Sequence, residues 1–308
     1  MVLICSFIVI GCMENVEMEG LQNFIGNNGD DLSYERTMKQ DILSLMMAYP
    51  QHIENIEKGK DGKVYVMMKS GQKILYDDKR QKGYGEKLAN PDLQDMMEQI
   101  YPLENINELM DKNFDPGRIR VYSLLKEVYG KSKEKVQSEL MNVKVGYKNY
   151  PFNKSNEAAA NLKSAMNELA SMAKGKQQLY AFLYPASGTF NYRYISGTNR
   201  LSPHSFGIAI DLKRDNNDYW KWASREQGEK RLRSYPNEIV EVFEKHNFIW
   251  GGKWGHFDIL HFEYRPELLI KSRYFANKST KDNTWYSGLP SLDDNVKNYI
   301  QIIDNALK

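Results

Sequence analysis

The chain has 308 residues, with 42 Lys plus Arg against 40 Asp plus Glu and a formal net charge of +2. That balance gives no electrostatic case for nucleic acid, which needs a clustered basic surface. With 41% hydrophobic and 12% aromatic residues the chain has ample apolar material for a core, which excludes a disordered chain and leaves room for one large domain or two modest ones.

The first element in chain order is an apolar run from Met1 to Cys12, short of the ~20 residues of a bilayer span. It has the length of a secretory leader and ends in Val9-Ile10-Gly11-Cys12. This ending resembles a bacterial lipobox, which implies cleavage, lipidation of Cys12 and an extracytoplasmic protein anchored to the cell membrane; a leader of another kind would give a secreted one. The same residues would also suit a buried N-terminal strand. Residues 13–34 are rich in Asn, Gly, Glu and Asp and read as a flexible spacer.

Tyr34 to Tyr49 carries a helical pattern, with Ile42, Leu43, Leu45, Met46 and Met47 on one side and Pro50 as the stop. Lys63–Lys69 and Lys73–Tyr76 around Ser70-Gly71 predict a β-hairpin. Short helices are expected over Asp92–Ile100 and Val121–Tyr129, with Asp115-Pro116-Gly117 as a turn between them. This region contains only His52 and shows no ligand constellation, so its many charges are expected on a solvated surface. Asn156 to Lys174 predicts a helix, with Leu162, Met166, Leu169 and Ala173 as a core stripe and Gly175 as the stop. Leu179–Tyr184, Ile208–Leu212 and Ile259–Glu263 are candidate strands, and Pro236–His246 is a helix opened by proline. His246 at its end is a structural residue favourable to the helix dipole. The fold class is α+β: a small antiparallel sheet flanked by helices, preceded by a mostly helical extension.

Four of the five histidines fall between 204 and 261. One cluster is Ser202-Pro203-His204-Ser205-Phe206-Gly207-Ile208-Ala209-Ile210-Asp211; the other runs from Trp254 through His256, Asp258 and His261 to Glu263. Both cysteines lie in the first twelve residues, so a metal in the folded part must be held by His and carboxylate. His204, Asp211 and His261 supply two imidazoles and one carboxylate, a catalytic zinc set that leaves a position open for water. Asp258 is then the candidate to take the water's proton, with Glu263 next in line. His204 and Asp211 differ by seven positions, so a straight strand would put them on opposite faces; they converge only if the chain bends, which Gly207 permits. Asp258 must precede regular pairing while His261 sits on the strand. His256 remains open as a substrate contact, a supporting residue or a replacement ligand, and Trp254 is a candidate substrate contact.

At these residues the chain resembles the zinc cell-wall peptidases, which include VanY-type D-alanyl-D-alanine carboxypeptidases, VanX-type dipeptidases and phage L-alanyl-D-glutamate endopeptidases. The shared pattern is Ser-x-His-x6-Asp followed by an acidic residue three before a second His. It stands here as Ser202 to Asp211 and Asp258-Ile259-Leu260-His261, with Phe190 to Thr198 matching upstream. The resemblance implies a Hedgehog/DD-peptidase-like fold and one zinc held by His204, Asp211 and His261. It further implies Asp258 as general base, Arg193 polarising the scissile carbonyl or holding a substrate carboxylate, and Ser202 near substrate. It implies peptidoglycan stem peptides as partners and D-alanyl-D-alanine carboxypeptidase as the first expectation, with an L-alanyl-D-glutamate-type endopeptidase second. A non-catalytic wall-binding lipoprotein is the alternative from another class. The expected organisation is a leader over 1–12, a spacer over 13–34, an α/β extension over 35–150, the peptidase domain over 151–275 and a tail or helix over 276–308.

Overall fold

The computed structural model describes residues 32–276 and 284–308, so the leader and Cys12 lie outside the described residues. Helix α1 covers 32–48 and thus takes in the last residues of the expected spacer. It buries Ile42, Leu43, Leu45 and Met46 and stops before Pro50, which cannot continue a helix. Strands β1 (Ile53–Lys58), β2 (Val64–Met68) and β3 (Lys73–Leu75) form an antiparallel sheet in that order. The expected hairpin is β2–β3. Strand β1 was not predicted, because a register shift between Ile53 and Asn55 lets Ile53 and Ile56 both face the core at an odd spacing.

Helices α2 (Tyr84–Ala89), α3 (Leu93–Met97), α4 (Tyr122–Tyr129) and α5 (Lys133–Ser138) follow. The hairpin β4 (Leu140–Val145) and β5 (Lys148–Asn153) leads into α6 (Ala158–Met172), whose buried face includes the predicted Leu162, Met166 and Leu169. One expected strand is corrected here. Leu179–Tyr184 belongs to helix α7 (Gln177–Leu183), because Leu179 and Leu183, four apart, are both buried on one helical face. A run this short carries no period of its own.

The C-terminal half holds β6 (Ala209–Asp211), α8 (Arg225–Ser234), α9 (Asn237–Lys245), β7 (Phe248–Trp250), β8 (His261–Tyr264), α10 (Pro266–Phe275) and α11 (Asp294–Ala306). Its sheet has the order β6-β8-β7, with β8 central and antiparallel to both neighbours. Helix α9 covers one face, with Phe243 stacked 4.0 Å from Phe262. The architecture is therefore α+β with small antiparallel sheets. Buried side chains before and after residue 150 join in one continuous hydrophobic core.

The expectation that the first region's charges are solvated also needs correction. Lys82 is buried among Asp78, Asp92 and Asp95 at 2.7–3.0 Å. Lys271 pairs with the buried Asp41 at 2.5 Å, and Arg120 with the buried Glu263. The last two pairs tie segments distant in sequence together, and all three groups are shielded from water. No helix among the described residues is long and apolar enough to cross a membrane.

Candidate metal centre

Asp211 and His261 face each other across the β6–β8 ladder, which sets their side chains together. His204 reaches them from a single 3₁₀ turn, Pro203–Phe206. Gly207 ends that turn at φ 67°, and a Cβ there would lie 2.7 Å from Leu140 Cδ2 and 3.2 Å from the Asn153 amide nitrogen. This is the bend that the odd spacing of His204 and Asp211 requires. Buried Asn153 holds the turn, its side-chain amide donating to the carbonyls of Tyr129 and Phe206.

His204 Nδ1 is hydrogen-bonded to the Thr189 carbonyl, which leaves Nε2 facing Asp211 Oδ1 at 3.2 Å. His261 Nδ1 lies 2.8 Å from the same oxygen, and its Nε2 lies 3.8 Å from Glu263 Oε2. Ligand atoms of His204, Asp211 and His261 all fall within 4.8 Å of one another. The donor set fits zinc: two imidazole nitrogens and a carboxylate converge, and the Thr189 carbonyl fixes the orientation of the His204 ring through its other nitrogen. Asp77, Asp78 and Asp92 also cluster, but the Lys82 ammonium already neutralises Asp78 and Asp92.

The electrostatics suit a cation. Burial would lower the His261 pKa, but hydrogen bonds to Asp211 and Glu263 and the charges of Asp211 and Asp258 outweigh it and push it up to about 10. Burial opposes ionisation of Asp211, yet the charges and hydrogen bonds of His204 and His261 hold its carboxyl well below the usual range. In the protein without metal, a proton on His261 thus supplies positive charge that a bound ion would otherwise bring. Burial pushes the Asp258 carboxyl up to about 7; His261 opposes this, Asp211 adds to it, and His204 and Arg118 oppose it. Asp258 lies outside the strands, bridged to Tyr219, and its backbone carbonyl accepts from the His261 N–H at 3.1 Å. The chain therefore runs from loop to strand between base candidate and ligand, as the three-residue spacing requires.

The other sequence-predicted residues are placed as follows. Arg193 is exposed on the strip beside the His204 turn, its backbone N–H donating to Ser205 Oγ at 2.8 Å and its carbonyl accepting from Ser202 N–H at 3.0 Å. Its charge is felt by Tyr219, the residue bridged to Asp258. Ser202 is buried and pairs through its backbone. Trp254, expected near substrate, is buried instead: its indole N–H donates to Pro116 O at 2.7 Å and its ring backs His261 at 5.7 Å. His256 stands outside the ligand group, with Nδ1 2.7 Å from Asp115 Oδ2 and its ring stacked on Tyr84. His246 follows α9, with Nε2 3.0 Å from Glu168. Glu263 is unsuited as a base. It is fully buried in a bidentate pair with Arg120 at 2.9 and 2.5 Å; burial opposes its ionisation, but Arg120 keeps it well below the usual range.

Residue type alone missed a further set in the turn 114–120. Besides Arg120, this turn brings Asp115 to His256, the Phe114 carbonyl to Gly255 N–H at 2.8 Å, and the Gly117 carbonyl to Arg265 Nη1 at 2.7 Å. Gly117, at φ 98°, lies so close to β7 that a Cβ would sit 2.3 Å from Ile249 Cδ1. Asp115-Pro116-Gly117 is the predicted turn, but nothing in its residue types announces that it packs against the residues flanking the candidate metal centre.

Residues 196–264 match a family model described as D-alanyl-D-alanine carboxypeptidase. The matched segment includes His204, Asp211, Asp258 and His261, supports the family resemblance seen in their spacing, and assigns the segment to a peptidase family acting on cell-wall peptides. No curated protein and no solved structure matches the chain.

Proposed function

We propose that this peptidase-family chain is a zinc metallopeptidase of the D-alanyl-D-alanine carboxypeptidase type, removing the last residue of peptidoglycan stem peptides. The observation that carries the reading is the convergence of His204 Nε2, Asp211 Oδ1 and His261 Nδ1 beside a carboxylate, Asp258, whose pKa stands near neutrality. His204, Asp211 and His261 would hold the ion. When bound, zinc acidifies a water and polarises the scissile carbonyl.

The rest of the chemistry belongs to the chain's own groups. Asp258, whose carboxyl pKa is raised by burial in the metal-free chain, would take a proton from the attacking water and later return it to the leaving amine. The Thr189 carbonyl keeps the His204 imidazole from rotating, so its ligand atom needs little rearrangement. Arg193, exposed next to the His204 turn, would supply a cation suited to a polarised carbonyl oxygen. A non-catalytic wall-binding role fits less well, because a complete ligand set and a base are both present. In this reading Cys12 carries the lipid that tethers the enzyme to the membrane. Cys12→Ser is then expected to release the protein from the membrane fraction; retention would refute the tether.

The experiment is incubation of the zinc-loaded protein with a defined stem pentapeptide, followed by mass spectrometry. Loss of one terminal alanine is expected. Cleavage between L-alanine and D-glutamate would replace the carboxypeptidase with an endopeptidase, and no cleavage of any stem peptide would overturn the enzyme reading.

A further inference from the structure

Away from the metal ligands, three tyrosines that the proposed chemistry does not use surround one concave surface. Two adjoining cavities, of about 480 and 170 Å³, are both lined by Tyr147, Tyr180 and Tyr184. Tyr147 stands in the turn between β4 and β5 and is 90% exposed. Tyr180 on α7 and Tyr184 just after it lie with their rings 4.9 Å apart. The turn is shaped for this cluster: Gly146 has φ 62°, and a Cβ there would sit 2.8 Å from the Tyr184 ring. Lys148, Lys174 and Lys176 also line the cavities, and no carboxylate does.

One strip of chain joins these cavities to the candidate metal centre. Pro185 and Ala186 line the smaller cavity, and Gly188 pairs with Asp211 across a backbone bridge. From Pro185 to Gly188 the backbone spans at most about 11 Å. Strand β5 fixes both ends of the strip. The Tyr150 hydroxyl donates to the Ala186 carbonyl at 2.8 Å, and the Pro151 carbonyl accepts from Thr189 Oγ1 at 2.7 Å. Thr189 in turn holds His204.

The lining selects a class of ligand. Flat aromatic faces favour an apolar face on the ligand, while tyrosine hydroxyls and lysine ammoniums donate to oxygens at its edge. A pyranose ring is divided in this way, with C–H bonds over its faces and hydroxyl and acetamido oxygens around its rim. A cavity of about 480 Å³ is of the size that encloses a small ligand. We propose that it holds a sugar of the glycan strand to which the stem peptide is joined, so that glycan-linked peptide is the preferred substrate. The inference rests on the peptidase reading above. In that reading four residues separate the sugar from the bond cut in a pentapeptide, a reach of up to about 14 Å. That reach is long enough to run along the strip from Asp211 back to the cavity.

The test compares a free stem pentapeptide with the same peptide carried on an N-acetylglucosaminyl-N-acetylmuramyl disaccharide. Zinc-loaded wild-type protein is expected to prefer the disaccharide-linked form by roughly 3- to 10-fold in kcat/KM, the range for one aromatic contact. Tyr147→Ala should remove that preference, and Tyr147→Phe should keep most of it. Equal cleavage of both substrates by wild type, or an equal fall on both in Tyr147→Ala, would overturn the proposal. Ligand-observed NMR with the disaccharide alone supplies a readout that needs no catalysis. Binding by wild type and its loss in Tyr147→Ala are expected; no binding of the disaccharide would overturn the proposal. Binding of a glycerol phosphate oligomer in its place would also overturn it and make the surface a polyanion site. Wild type that cleaves neither substrate refutes the peptidase reading, while disaccharide binding still decides what the cavity holds.

Discussion

Two stretches meet around the candidate metal centre and contribute different things. The turn at 203–206 and the strands β6 and β8 bring the ligand atoms, on residues whose chemistry is already unusual in the sequence. The turn 114–120 brings no ligand. It supplies Arg120 to neutralise Glu263, Pro116 to anchor Trp254 and Asp115 to hold His256. The lesson is that donors define which ion a centre holds, whereas distant segments define how rigidly and with what charge it is presented.

The sharpest contrast separates chemistry from support. Asp258→Asn keeps the shape of the base but cannot take a proton, so turnover should fall by ~10²–10⁴-fold while zinc content stays near that of wild type. Metal analysis beside steady-state kinetics checks this; loss of zinc in the variant would make Asp258 a ligand. Arg120→Ala should do the reverse, acting first on the fold. It leaves the fully buried Glu263 carboxylate with only the longer Arg265 contact at 3.4 Å in place of a bidentate pair, at a cost of up to about 3–5 kcal/mol in denaturant unfolding. A stability change within ±0.5 kcal/mol would break the claim that this turn braces the sheet. Asp115→Asn should cost less, about 1–3 kcal/mol, because hydrogen bonds to Tyr84 and His256 are weakened and no charge is stranded. Thermal unfolding of the zinc-loaded protein reads that difference.

The centre's pH behaviour follows from His261. Its pKa in the folded protein stands at about 10, above the ordinary 6.5, so the stability it contributes without metal is present below about 6.5 and is lost as pH rises toward 10. Zinc needs the neutral imidazole. At pH 8, zinc binding should therefore release about one proton per ion, seen by calorimetry in buffers of different ionisation enthalpy. Zinc uptake with no proton release would contradict the His261 assignment.

The same contrast explains what could be read in advance. The convergence of His204, Asp211 and His261 was legible because few residue types bind metal and their spacing demanded a bend at Gly207, which the backbone supplies. Helix α6 was legible from its apolar stripe, and β2–β3 from alternation around Ser70-Gly71. Strand β1 was hidden by its bulge, and α7 by a run too short for periodicity to decide. Asp115 and Arg120 were hidden for another reason. Charged residues beside a Pro-Gly turn look like surface, and only the tertiary fold reveals that Asp115 and Arg120 are buried against groups more than 140 positions away.

The central claim is tested most directly by elemental analysis of the purified chain and its ligand variants. About one zinc per wild-type chain is expected, and none above background after His204→Ala, Asp211→Ala or His261→Ala, since each removes one of only three protein ligands. Full zinc occupancy in His261→Ala, or a folded wild-type protein that takes up no zinc when it is supplied, would contradict the account.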